Sequence, residues 1–299
     1  MKIEVAASSY PFFAALASET RLKIINLLAE KPLNIGQLAE SLDISGAIVT
    51  RHINLLEEAG IVKTESITGK RGRQKLCSLA AKQVLLLFPS PESSESTRQL
   101  SIPVGQFVAH SVQPTCGLAS TDGLIGICDD PRYFSDPDRT KAAIVWFRTG
   151  WLEYSIPSYL FSRGEPEQFE ISLEICSEHP GYNEDWPSDI HFYLNDKLVG
   201  YWTSPGDFGA KGGIYTPSWW QHGTKHGLLK TLKITQEGSF LDGVYLSSLT
   251  IADLGIEPHQ DLKFRIAVPE DAKNPGGINL FGKGFGNYNQ DIEVRVQYR

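Results

Sequence analysis

The stretch Pro89-Ser90-Pro91-Glu92-Ser93-Ser94-Glu95-Ser96-Thr97 offers no apolar side chain to bury. It cannot offset its own ordering entropy, so it reads as a linker and cuts the chain in two. The two parts differ in character. Residues 1–88 hold 11 Lys and Arg against 8 Asp and Glu, a net +3, and no Trp. The remainder carries a net −10 and all 6 Trp. The expected division is 1–88, a linker over 89–100, and 101–299. A basic small domain joined to an acidic large one points to a polyanionic partner for the first part alone.

Several classes are excluded at this level. Apolar runs such as Val84–Phe88 extend over no more than about six residues, too short to cross a bilayer. Lys2, Glu4, Ser8, Ser9 and Pro11 interrupt any secretory apolar stretch, so the chain reads as mature, cytosolic protein. Cys77, Cys116, Cys128 and Cys176 show no CxxC spacing, which indicates neither a zinc ribbon nor a disulfide framework.

The first part scans as helices. Ser18-Glu19-Thr20 precedes Leu22, Ile24, Ile25, Leu27 and Leu28, an apolar stripe with a capping residue ahead of it. Asn34 can cap a second helix carrying Ile35, Leu38, Ala39 and Leu42. After a tight connection at Asp43-Ile44, Ser45 can cap a third, whose Val49, Ile53 and Leu56 face inward until Gly60 stops it. Ile61–Ser66 then alternates like a strand, Thr68–Arg73 turns, and Gln74–Ser78 returns. This is the pattern of a winged helix-turn-helix. Ser45 would set free helical N–H groups beside phosphate. Gly46, Ala47, Ile48, Thr50 and Arg51 would approach base edges, with His52 packing or touching phosphate. Lys70, Arg71 and Arg73 at the wing tip would meet phosphate or a narrow minor groove.

The run Glu19-Thr20-Arg21-Leu22-Lys23-Ile24-Ile25-Asn26-Leu27-Leu28, followed by Ile44-Ser45, Val49-Thr50-Arg51-His52-Ile53, Leu56 and Ala59-Gly60-Ile61-Val62, resembles the ArsR-type winged-helix repressors over residues 10–88. That resemblance implies a homodimer on a double-stranded, pseudo-palindromic DNA operator, released by an effector. It places the dimer helices at Tyr10–Ala17 and Ala80–Phe88. Where metal-sensing members carry cysteines, Pro32–Leu38 offers Asn34 and Gly36, so no thiolate metal site is expected there.

The second part reads as β throughout. Lys141–Phe147, Phe169–Cys176, Ile190–Leu194, Lys197–Trp202, Leu228–Thr235, Tyr245–Ile251, Leu262–Val268 and Ile292–Tyr298 are short runs of strand formers. Asn195-Asp196, Asp242-Gly243 and Asn274-Pro275-Gly276-Gly277 are turn signals between them. The expected fold class is therefore multi-domain: a mainly α winged helix-turn-helix, then an all-β jelly-roll sandwich. Over about ten residues, His191–Gly200 resembles a hairpin of galactose-binding-like jelly rolls.

Trp202, Tyr215, Trp219 and Trp220 gather around the loop Ser204–Gly213, with Asp207, His222 and Asn287 as hydrogen-bonding candidates. Flat rings and polar groups together suit a carbohydrate. The competing reading is that these aromatics are core. Other chemistries fare worse. His222-x-x-x-His226 is interrupted by Gly223 and Gly227, Gly282–Gly286 lacks the phosphate-loop pattern, and no GxSxG is present. Glu165, Glu167, Glu170, Glu174 and Glu178 are expected to face solvent from alternate strand positions rather than to form a glycosidase pair. The combined reading is a regulator, not an enzyme, with no metal or cofactor, whose second domain senses a small polar effector such as a sugar. The alternative is a carbohydrate-binding or carbohydrate-active protein that uses the winged helix only for dimerisation or protein contact.

Overall fold

The computed structural model describes residues 1–69, 72–81, 84–88, 96–257 and 259–299. They form two compact units, Met1–Pro91 and Glu92–Arg299.

The first unit runs β1 (Lys2–Glu4), α1 (Tyr10–Leu16), α2 (Glu19–Glu30), β2 (Leu33–Asn34), α3 (Ile35–Leu42), α4 (Gly46–Glu58), β3 (Val62–Gly69), β4 (Gly72–Leu79) and β5 (Leu85–Leu87). The helix boundaries follow their caps. Asn34 accepts from the Gln37 N–H while the Gln37 side chain accepts from the Asn34 N–H, both at 2.9 Å, a reciprocal capping box. Asp43 turns the chain in the left-handed region at φ 52°, and the Ser45 hydroxyl accepts from the Ile48 N–H. Ser18 stands at the expected cap of α2, but its side chain makes no capping bond.

At the far end of α4, the Ile61 N–H reaches the Leu56 carbonyl and the Gly60 N–H reaches that of Glu57. This is a Schellman stop, with Gly60 at φ 69°. Gly60→Ala is expected to cost about 1–2 kcal/mol, read as a lower urea midpoint with an unchanged slope. Ile24, Leu28, Leu38, Val49, Ile53, Leu56 and Cys77 close the core beneath the β2-β4-β3 sheet.

Two expectations are corrected here. Among the described residues of 80–88 there is no helix: β5 pairs in parallel with β1, Leu85 opposite Lys2 and Leu87 opposite Glu4. A continuous apolar run with no polar face suits a short strand better than a surface helix. The hairpin turn is also tighter than Thr68–Arg73, because pairing continues to Thr68↔Arg73 and Gly69↔Gly72. Lys70 and Arg71 lie outside the described residues.

The second unit consists of β6 (Thr97–Ile102), β7 (Ala109–Ala119), β8 (Leu124–Ile125), β9 (Ile144–Ile156), β10 (Pro166–Cys176), β11 (Ser188–Leu194), β12 (Lys197–Ser204), β13 (Leu228–Thr235), β14 (Ser239–Leu241), β15 (Val244–Ser247), β16 (Leu262–Val268), β17 (Ile278–Phe281) and β18 (Ile292–Tyr298). One branch of the sheet is β12-β11-β16-β9, with β7 on β9 and β8 on β7. The other is β15-β14-β13-β10, with β18 and β6 beyond it. β17 pairs with both β9 and β10 and so joins the branches into one nearly closed, antiparallel sheet. Phe147, Tyr154, Phe169, Phe192, Leu232, Phe264 and Val294 fill its interior. The Tyr154 hydroxyl, buried among them, donates to the Val104 carbonyl at 2.7 Å, the partner a buried hydroxyl needs.

Burial alternates along β18 and along β10 as far as Leu173, after which Glu174–Cys176 are all buried. The linker, however, ends earlier than residue 100, since Thr97 already pairs with Gln297. β9 starts at Ile144, because Asp136 caps a short 3-10 turn over Pro137–Lys141. β15 stops at Ser247 rather than running to Ile251. Asn195 and Asp196, and Asp242 and Gly243, take the positive φ values that two-residue hairpins demand.

Candidate nucleic-acid interface and ligand cavities

α4 buries Val49, Ile53 and Leu56 completely, which turns Ala47, Arg51 and Asn54 outward at i, i+4, i+7 spacing. All three are exposed. Ile48 is exposed on the flank, and Ser45 is exposed at the N-terminus, where unpaired helical N–H groups favour an anion. Asn54 belongs to this face and was not picked out from the sequence, although its spacing from Ala47 and Arg51 is the signal. Lys75 on β4 reaches its side-chain oxygen at 3.4 Å and pairs with Glu57 at 3.0 Å.

Thr50 and Gly46 sit differently from expectation, and His52 takes the packing role of the two expected for it. The Thr50 hydroxyl donates back to the Gly46 carbonyl at 2.8 Å, so it is engaged within the helix. Gly46 lies half-buried near Ile35. The His52 ring is turned inward to Arg21, with Nδ1 3.4 Å from the guanidinium. Arg21 in turn donates to the Ala14 and Ala15 carbonyls. Burial, then the Arg21 and Arg51 charges, pull the His52 pKa below its usual value, so the ring is neutral at physiological pH. It is a packing residue. Arg73 stands on β4 opposite Thr68, at the wing end of the hairpin.

In the second unit the residues grouped by the sequence do not form one site. Trp219, Trp220, Trp146 and Phe285 make a set of edge-to-face contacts. The Trp219 and Trp220 indole N–H groups donate to the Thr121 and Thr224 carbonyls. Trp220 is thus packing, while Trp219 keeps an exposed edge. Tyr215 and His222 are exposed nearby. Asn287 is structural, its side-chain oxygen accepting from the Ile214 N–H. Trp202 stands elsewhere, in a cavity of about 710 Å³ with Tyr201, Tyr245 and Leu246. Lys230 lies 4.5 Å over its ring and is itself paired with Asp242. The spacing of His222 and His226 has no helical meaning in this loop; His226 stacks on Phe208 instead.

The acids correct the solvent-facing expectation for Glu174 and Glu178. Glu174 is wholly buried and accepts from the backbone N–H groups of Gly227, Asn287 and Tyr288. Burial pushes its carboxyl up to about 7, against those three donors. Glu178 accepts from the Thr115 hydroxyl, and burial pushes it to about 7 as well. Asp207, also buried, accepts from the His179 N–H and the Thr224 hydroxyl, and is likewise pushed to about 7 by burial. It braces a loop rather than offering itself to a ligand.

Glu178 opens onto a second cavity, of about 480 Å³, that no local sequence signal announced. Its walls are the loop after β10, with His179 and Trp186, and the loop after β16, with Lys273 and Asn274. β7 and β9 supply Thr115 and Arg148. Thr115 falls where the β7–β9 register shifts between Gln113 and Cys116, and such a bulge re-aims a side chain. The loop after β16 is held by Asp189, which accepts from the Asn274 backbone and side-chain N–H groups, and by the Glu178 N–H donating to the Gly276 carbonyl. Gly277, at φ 72°, packs so closely that a Cβ there would meet that of Glu178 at 2.7 Å. Among the described residues, no group of three or more His, Cys, Asp or Glu is placed to hold a metal ion.

Residues 18–64 match the family model described as bacterial regulatory protein, arsR family. Two curated proteins are similar. A transcriptional repressor SmtB homolog of Synechocystis is 30% identical over 88 residues, 29% of this chain and 64% of its own. An HTH-type transcriptional regulator of Methanocaldococcus jannaschii is 34% identical over 61 residues, 20% of this chain and 64% of its own. The chain thus spans 64% of the length of each of these relatives. Among solved structures, an ArsR family transcriptional regulator shares 29% identity over 24% of this chain and 76% of its own, at a TM-score of 0.22. HlyU from Vibrio cholerae shares 25% identity over 25% of this chain and 78% of its own, also at 0.22. The first unit is a helical helix-turn-helix domain that is similar to the arsR family over residues 18–64.

Proposed function

We propose that the chain is a cytoplasmic, DNA-binding transcriptional regulator, a homodimeric repressor without enzymatic activity. Its second unit, read as a jelly-roll sandwich, senses a small polar effector of carbohydrate type. The observation that carries this reading is the outer face of α4. Ala47, Arg51 and Asn54 stand clear of packing beside a Ser45-capped helix end, the arrangement with which a recognition helix enters a major groove. The net +3 of residues 1–88 supplies attraction to phosphate within an acidic chain.

The SmtB homolog is a transcriptional repressor, which supports that direction of control. Dimerisation is supported by apolar side chains left open near both ends of the first unit: Tyr10 is 71% and Phe88 75% exposed, with Leu85 and Leu86 beside the latter in sequence. The antiparallel sheet with one interior supports the sandwich reading. No described helix is long and apolar enough to cross a membrane.

The test is fluorescence anisotropy of the full chain on duplex fragments from upstream of its own transcription unit, across a salt series. Specific retention is expected, with log affinity falling linearly in log salt. No retention at low salt, with and without sugars present, overturns the reading.

A further inference from the structure

We propose that the 480 Å³ cavity in front of Glu178 is the effector site of the second unit, and that it takes a small anionic polyol, a sugar acid or a sugar phosphate, in preference to a neutral sugar. Its regulatory role rests on the reading above; the binding itself does not.

Its size falls in the range of about 300–1,000 Å³ usual for small-molecule sites. Arg148 and Lys273 are exposed at its wall, and neither forms an ion pair among the described residues. Two cations that form no ion pair and line one concavity call for an anion, and a guanidinium presents the planar donor pair that carboxylates and phosphates accept. Glu178 does not cancel them. Held at about 7 by burial, with Asp129 raising it and Arg148 lowering it, it carries less than a full charge at neutral pH. Asp207 behind it is raised in the same way.

The other groups suit hydroxyls and ring faces. The half-buried His179 lines the cavity, and an imidazole can donate to or accept from a ligand hydroxyl. Trp186 stands edge-on to the His179 ring at 4.8 Å and, being partly exposed, offers a flat surface for C–H groups. The larger Trp202 cavity is a weaker rival, because its indole is already covered by Lys230 and that cation already has Asp242.

The experiment is isothermal titration calorimetry on the full chain with three probes: galacturonate, glucose 6-phosphate and glucose. At least one anionic probe is expected to bind roughly tenfold or more tighter than glucose. Which one binds separates carboxylate from phosphate recognition. The double variant Arg148→Gln/Lys273→Gln is expected to lose that affinity by about tenfold or more, while Lys141→Gln, an exposed lysine paired with Asp138, leaves it unchanged. Both targets are exposed, so an unaltered thermal midpoint confirms that the variants fold. Equal affinity for neutral and anionic probes, or unchanged affinity in the double variant, overturns the site. A bound anion that leaves operator affinity unaltered refutes the sensing role and leaves the site standing.

Discussion

Arg51→Ala is expected to weaken binding to the operator by roughly 5- to 150-fold, the equivalent of about 1–3 kcal/mol for one good bidentate base contact. The side chain is exposed on the outer face of α4 and forms no ion pair among the described residues. Its loss therefore changes folding stability by no more than about 0.5 kcal/mol. The effect is expected to fall on sequence discrimination: affinity for operator drops while affinity for unrelated duplex changes little. Arg73→Ala is the contrast, expected to weaken all sequences alike and to reduce the salt slope by about 1. His52→Ala separates packing from contact, because its ring faces Arg21 rather than the outer surface. Loss of stability without loss of discrimination is expected there. Anisotropy with operator and scrambled duplex at several salt concentrations reads all three. If Arg51→Ala binds both duplexes as the parent does, α4 is not the reading head.

What was legible in the sequence was local. Asn34, Ser45 and Gly60 marked helix ends because each solves a hydrogen-bonding or steric problem within four residues of itself. Asn195-Asp196 and Asp242-Gly243 marked hairpins for the same reason. The helix over 80–88 failed because a family's dimer geometry was laid onto a run, Val84 to Phe88, that has no polar face and instead pairs with β1. β7 escaped notice because Pro114 and the polar residues around it break the alternation at the bulge that serves the cavity.

The ligand candidates failed in an instructive way. Trp202, Trp219 and Trp220 are near one another in the chain, and nearness was the only measure available. The fold sends Trp202 to one cavity and packs Trp220 against Trp146 and Phe285. The Glu178 cavity draws on Thr115, Arg148, Trp186 and Lys273, which share no local pattern. Glu174 and Glu178 were read as solvent-facing because strands usually alternate. Here the loops at Gly227 and Gly286–Tyr288 fold over that face of β10 and meet the Glu174 carboxylate, while Glu178 lies past the end of the strand, in the loop after it.

Those buried carboxyls carry the second large effect. Glu174→Ala leaves the N–H groups of Gly227, Asn287 and Tyr288 without their acceptor and is expected to destabilise the second unit by about 3–5 kcal/mol. For a unit of this size the thermal midpoint falls by roughly 6–20 °C. Because all 6 Trp lie in the second unit, Trp fluorescence follows its transition alone. Glu174→Gln keeps one oxygen and should lose less, but it removes a proton-binding site.

The sign of the pH dependence follows from that site. Glu174, Glu178 and Asp207 are held at about 7 when folded, against ordinary carboxyl values of about 4 when unfolded. Between those values the folded state binds more protons, so stability falls as pH rises and levels off above about 7. Half-buried His110 and His191, with lowered pKa values, act in the opposite sense, but only around and below the unfolded histidine value of about 6.5. The raised thiols, Cys116 and Cys176 among them, act in the same sense as the carboxyls, but only as pH nears the unfolded thiol value of about 8.5, so the interval from pH 6.5 to 7.5 isolates the carboxyls. The midpoint of the parent is expected to drop across it, and that of Glu174→Gln to drop less. A parent midpoint that holds level or rises across that interval means that the three N–H donors keep Glu174 ionised and that burial does not decide its charge.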